Sequence, residues 1–144
     1  MPQRMKFKGS LNGTGPIYRE FPVNVSQTIY EGDIVVLSSN KVSIAADAAS
    51  AGTVLGVAAS SIVTGGAVTA ADVIKVDINP DSIYRSKYTG SATPAIGNKY
   101  DMGTAAYEFD SDDTTGGYIQ VVGNVDTTNK EADVILCNRV FGMA

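Results

Sequence analysis

Asp110, Asp112 and Asp113, followed by Gly116 and Gly117, form the densest group of oxygen ligands in the chain. Calcium prefers such a set, but a helix-loop-helix calcium loop counted from Asp110 needs a glutamate where Val121 stands. The stretch therefore reads as a solvated acidic turn. Glu31, Asp33, Asp101 and Glu108 are further carboxylates of the kind that glycoside hydrolysis pairs across a bond. Their spacing singles out no pair, and the chain has no tryptophan to form a sugar platform. It also has no histidine, which excludes a serine triad, a cysteine-histidine pair and the usual zinc sites. Gly13-Thr14-Gly15 and Gly65-Gly66 lack the lysine and helix start of a phosphate loop and read as turns. Cys137 is the only cysteine, so no intrachain disulfide forms. In the run Val134-Ile135-Leu136-Cys137 it reads as a small buried hydrophobe. The expectation is a protein without catalytic residues, cofactor or metal, and not an enzyme.

The elements around these residues are strands. A chain of 144 residues with 44% apolar and 18% charged residues, rich in Gly, Val, Ile, Thr and Ala, has the composition of one folded β-rich domain. Its halves echo each other. Ala71-Asp72-Val73-Ile74 returns letter for letter as Ala132-Asp133-Val134-Ile135, and Gly32 aligns with Gly97 and Gly52 with Gly117 at one common offset. Two similar β-units are expected, at about 30–81 and 95–141.

In the first unit, the turn Glu31-Gly32-Asp33 leads into strands at 34–37, 42–45, 53–62 and 72–78. Between them, Ala46 to Ala51 is long enough for a single helical turn. The second unit repeats the scheme at 97–102, 107–109, 117–125 and 132–141. No helix of ordinary length is expected. Sequential strands joined by short turns predict an all-β fold, a compact antiparallel barrel or sandwich.

Residues 1–22 read as an extended N-terminal arm and 23–144 as the single barrel-like domain. Arg4, Lys6 and Lys8 precede the first acid, Glu20, so a basic arm precedes an acidic body; the net charge of −4 argues against a nucleic-acid partner. Alternation in Arg4-Met5-Lys6-Phe7-Lys8 places Met5 and Phe7 on one side and the lysines on the other, as in a docking strand. Removing residues 1–8 is expected to leave the fold intact. Ile17, Tyr18 and Phe21, held extended by Pro16 and Pro22, would cover an edge of the body or a neighbouring subunit. Residues 82–94 have no counterpart in the echo, and Ile83, Tyr84, Arg85 and Tyr88 there read either as subunit-interface anchors or as core packing. No apolar run approaches the ~20 residues that span a bilayer, so no membrane is expected as a partner. Met1 to Lys8 lack the apolar core of a secretory signal, so the protein is expected to be made and kept in the cytoplasm or to leave it by a route other than secretion.

The second unit runs Ala95-Ile96-Gly97-Asn98-Lys99-Tyr100-Asp101, then Tyr107-Glu108-Phe109, Gly117-Tyr118-Ile119, Val121-Val122-Gly123 and Asp133 to Leu136. The first unit matches with Gly32-Asp33-Ile34-Val35, Gly52 and Gly56-Val57. Over about residues 30–141 this resembles the small capsid decoration, or cement, proteins of tailed bacteriophages, of the lambda head-decoration type. The resemblance implies a β-tulip-like barrel and a homotrimer on threefold sites of the capsid exterior in the virion. It also implies an N-terminal arm that pairs with the major capsid protein, and it carries over no catalytic residue. Two other classes stay open. One is a tail or baseplate structural module; the other is a carbohydrate-binding module using Tyr84, Tyr88 or Tyr107.

Overall fold

The structure, a computed structural model, describes residues 3–46 and 53–141. The expected helical turn at Ala46 to Ala51 lies, after Ala46, outside the described residues. The strands are β1 (Lys6–Ser10), β2 (Tyr18–Pro22), β3 (Thr28–Ile29), β4 (Ile34–Ser38), β5 (Lys41–Ile44), β6 (Val54–Ala58) and β7 (Ile62–Val63). They continue as β8 (Val73–Asp77), β9 (Ser82–Thr89), β10 (Lys99–Tyr100), β11 (Glu108–Asp110), β12 (Ile119–Asp126) and β13 (Glu131–Leu136). The protein is all-β and sandwich-like. One sheet runs β1-β9-β13-β12-β10 with β11 also on β9, a second runs β2-β8-β6-β4-β5, and β3 pairs with β7. These pairs are antiparallel apart from β9 with β11.

The two units exist as strand pairing, and each holds one strand more than the echo contains. In the first, the path β2-β8-β6-β4-β5 returns to its start where Val23, just past β2, bridges in parallel to Val42 of β5. In the second, β9-β13-β12-β10 continues through the bridge from Met102 to Phe109 into β11, which lies parallel to β9. So β2 corresponds to β9, β8 to β13, β6 to β12, β4 to β10 and β5 to β11. Residues 82–94 do have a counterpart: β9 and β2 are the opening strands of the two units. The matched turn glycines agree in conformation, with φ of 95° at Gly32 and 91° at Gly97, a region that favours glycine. The Ala-Asp-Val-Ile echo does not agree. Val73 is exposed and Ile74 buried, whereas Val134 is buried and Ile135 only half-buried. A slip of one residue exchanges a strand's faces, so these identical letters sit on opposite sides.

Each unit has its own apolar interior. Val23, Ile29, Val35, Val42, Leu55, Ala58, Ile74 and Val76 fill the first. Tyr84, Tyr88, Tyr100, Phe109, Tyr118, Ile119, Val121 and Val134 lead the second, joined by Ile34, Val54 and Val57 from the first unit. That sharing welds the units into one body. Strand β6 is buried along its whole length because it serves both cores. A register shift against β4 between Val35 and Val36 lets Val54 and Val57 face one core and Leu55 and Ala58 the other. At Gly56 a Cβ would land on the Asp77 carbonyl, so only glycine lets β6 and β8 close.

The N-terminal segment is extended, as expected, but it is not detached from the body. Strand β1 lies on β9 with Phe7 opposite Tyr84, and β2 lies on β8 with Tyr18 opposite Asp77. Met5 is buried in the second core. Met5 and β1 bury surface that removal of residues 1–8 would expose, which weighs against the expectation that these residues are dispensable for folding.

Candidate functional site: a groove beside the N-terminal strand

The expected docking residues divide into an anchor and a free face. Arg4 donates through Nε to Oδ1 of Asp33 at 2.9 Å, and its guanidinium lies 4.5 Å from the Tyr30 ring centroid and 4.8 Å from that of Tyr107. Tyr30 precedes the first turn of unit one and Tyr107 belongs to unit two, so Arg4 pins the two together. Gly32 makes room: a Cβ there would stand 2.7 Å from the Arg4 Cβ and 2.8 Å from the Met5 carbonyl oxygen. Lys6, Phe7 and Lys8 are exposed, and Phe7 meets Tyr84 edge-on at 5.8 Å between ring centroids.

Beside β1 opens a groove of about 370 Å³. Met5, Lys6 and Phe7 form one wall and Tyr18, Ala58 and Ala59 the other, with Val57 and Tyr84 also lining it. Phe7 (39% exposed), Leu11 (57%), Ile17 (47%) and Tyr18 (52%) leave large apolar surface open along the N-terminal segment. The structure thus brings Met5, Lys6, Phe7, Tyr18 and Tyr84 of the expected docking and interface residues to one place.

Others are displaced from the expected roles. Tyr84 and Tyr88 are 7% and 5% exposed within the chain itself and belong to the second core. They face inward because side chains alternate along β9, the even-numbered residues turning to the second core and Ile83, Arg85 and Lys87 to the outer face. The Tyr84 hydroxyl donates to Oδ2 of buried Asp77 at 2.5 Å. Burial, then that bond and the Asp77 charge, push the Tyr84 pKa far above its ordinary value of 10.0. With Tyr107 beneath Arg4, the three tyrosines named for sugar binding form no exposed platform. Phe21 is half-buried, packs on the first core and stacks on Phe141 at 6.2 Å.

Arg85 points to the outer face of its sheet, where Asp133 and Glu131 stand opposite Arg85 and Lys87 across the β9–β13 ladder. Arg85 bonds Asp133 at 3.0 Å and Glu131 at 3.3 Å, and Lys87 lies 3.5 Å from Glu131. Ile83 is half-buried on the same strand. Burial works to raise the Glu131 pKa, but bonds from Gln3 and Arg85 and the Lys87 charge outweigh it and hold the pKa low. This is a largely covered charge lattice, with Asp133 buried and Arg85 and Glu131 half-buried.

The candidate ligands of the acidic loop turn inward on the chain. Asp112 accepts from the Ser91 and Ala92 amides at 2.8 and 3.0 Å, and Asp110 and Asp113 cap the amides of Asp112 and Thr115. Those two amides hold the Asp112 pKa below its ordinary value. Among the described residues no group of acids or Cys137 is disposed to hold a metal. Asp33 is committed to Arg4 and the Tyr30 amide, Asp101 caps the Met102 amide, and Glu108 accepts from Thr104. Cys137 is half-buried with its Sγ 3.6 Å from Gln120 Oε1, and burial raises its pKa. Strand β2 lies at the edge of its sheet, as expected of a segment that Pro16 and Pro22 keep out of a central strand. Compared with models of known protein families and with curated proteins, the chain matches none.

Proposed function

We propose that this is a structural protein that decorates the exterior of a tailed-phage capsid by bridging neighbouring copies of the major capsid protein, acting as a homotrimer. The observation that carries this reading is the surface beside β1. Exposed Phe7 and Tyr18 line a groove together with Met5, Val57 and Ala58 and the charged Arg4, Lys6 and Glu31, and Leu11 and Ile17 are exposed on the same N-terminal segment. Neighbouring exposed apolar side chains of this kind suit a surface that a partner covers. The polar lattice of Arg85, Lys87, Glu131 and Asp133 suits the face that stays in water. Binding only the expanded shell stabilises it by mass action, and three modest contacts per trimer reinforce one another.

The test is to mix purified protein with undecorated expanded capsids and image the product. Density at threefold positions supports the proposal. Retention on tails after capsids and tails are separated assigns the protein to a tail or baseplate instead, and binding to neither rejects both.

A further inference from the structure

The chain has eight asparagines, and only Asn12 is followed by glycine. A side-chain amide is open to attack by the next residue's backbone nitrogen when that residue has no Cβ to crowd the approach. Asn12 and Gly13 lie exposed between β1 and β2. Gly13 has φ of 74°, and no atom stands within 4 Å of the place its Cβ would take. Its amide bonds back to the Ser10 carbonyl at 3.3 Å, a long and weak hold on the proton that must leave.

The Asn12 side chain is bonded in the sense such an attack needs. Oδ1 accepts from the Thr14 amide at 3.1 Å and from Thr14 Oγ1 at 2.7 Å, while Nδ2 donates to Oδ2 of Asp81 at 2.8 Å. A backbone amide only donates and a carboxylate only accepts, so the two ends of the side chain are not interchangeable. The bond to the Thr14 amide folds the side chain forward along the Gly13 peptide, as in an Asx turn. Attack on Cγ turns Oδ1 into an oxyanion, at which two donors are already aimed. The nitrogen that leaves gains positive charge, and it faces a carboxylate. Both developing charges therefore meet groups of opposite sign that are in place beforehand.

We infer that Asn12-Gly13 is a self-deamidation site whose reaction the Thr14 donors promote. The Gly13 nitrogen bonds to Asn12 Cγ, the Cγ–Nδ2 bond breaks, and ammonia leaves with the proton given up by the Gly13 amide. The product is a succinimide. Water then opens the ring at either carbonyl, leaving aspartate or isoaspartate at position 12. The change reaches beyond the turn: a carboxylate at position 12 has no N–H for Asp81, and two like charges then face each other where the 2.8 Å bond stood. Of the ties between this loop and the turn after β8, the Leu11 amide on the Asp81 carbonyl at 2.9 Å persists.

The intact protein is incubated for days at mildly alkaline pH and mapped by mass spectrometry, with isoaspartate marked by an isoaspartyl methyltransferase. The peptide holding residue 12 is expected to gain the amide-to-acid mass increment about tenfold faster than any other asparagine, as a mixture of aspartate and isoaspartate. Thr14→Val, an exposed change expected to keep the parent's unfolding midpoint, slows conversion of the folded protein by about threefold or more and leaves the urea-denatured chain unaffected. No conversion at position 12 overturns the assignment. Conversion slower in the folded protein than in the denatured chain means that the turn protects Asn12, and overturns it too. An unchanged rate in Thr14→Val overturns the promotion by Thr14.

Discussion

Arg4 and Asp33 meet at 2.9 Å with the aspartate side chain only 2% exposed, so a residue at the start of the chain neutralises a buried carboxylate at the first turn of unit one. Asp33 also accepts the Tyr30 amide, which fixes the turn that carries Gly32. Arg4→Met removes one charge and strands the other. One-sided loss of a buried pair costs about 3–5 kcal/mol, and partial exposure of Arg4 lowers the expectation to about 2–3 kcal/mol. Urea unfolding midpoints check this, and pairing Arg4→Met with Asp33→Asn is expected to recover part of the loss.

Tyr84 gives the protein an alkaline limit. Its folded pKa lies above the ordinary 10.0, so the native state favours the protonated phenol. That contribution is fully present below the unfolded pKa and is lost as pH rises above it. Stability is expected to fall from about pH 10 upward. In Tyr84→Phe this component of the fall disappears, and the variant is less stable at neutral pH by about 1–2 kcal/mol because Asp77 loses a donor. Denaturation midpoints across pH 8–11, a range about the ordinary tyrosine pKa, measure both effects.

Gly56→Ala is expected to be the most damaging single-methyl change in the protein. The new carbon falls on the Asp77 backbone, which cannot swing aside as a side chain would. A loss of about 3 kcal/mol or more is expected, seen as a lowered thermal midpoint. Gly123→Ala, with open space at the same position, is the control for a strand glycine without a close neighbour.

At the N-terminus, stability and binding are expected to separate. Met5→Ala empties a core position and costs about 2–5 kcal/mol. Lys6→Glu with Lys8→Glu alters exposed side chains and leaves the unfolding midpoint within about 0.5 kcal/mol of the parent. The lysine pair is the variant expected to weaken sedimentation with expanded capsids.

Asp112 ties the 91–92 segment to the acidic loop. Its depressed pKa means the tie is present above the ordinary carboxylate range and is lost as pH falls through the folded value. Amide shifts of Ser91 and Ala92 are expected to titrate together at a pH below 3.8, and Asp112→Ala abolishes that titration.

Strand content was legible where alternation or an apolar run is strong. Ile34 to Leu37 became β4, Val42 with Ile44 became β5, and Asp72 to Ile78 contains β8. The run at 53–62 divides because Ser60 and Ser61 spend their hydroxyls on backbone amides: Ser60 caps Lys75 and Ser61 caps Glu31. Strand β9 was hidden by its own success. Tyr84 and Tyr88 read on paper either as interface anchors or as core packing, and the alternation along β9 puts both in the core. The Ala-Asp-Val-Ile echo led to the right architecture through the wrong residues, since strand pairing and turn glycines carry the duplication. Of the candidate site, Lys6, Phe7 and Tyr18 were legible as exposed partner-seeking residues. The groove was not, because its walls come from β1, β2 and β6, which no local pattern links.

Strand β1 has a consequence for the order in which the molecule is made. Lys6–Ser10 are synthesised well before their hydrogen-bonding partners Ser82 to Arg85, and β9 in turn leans on β13, which is made later still. Strand β1 must therefore wait, unpaired, until β9 and β13 have been made. Closing so long a loop is entropically costly and makes this docking a late event in folding. Nascent chains halted before residue 82 would carry Phe7 and its neighbours bare, and chaperone engagement with those residues is a natural consequence of the topology.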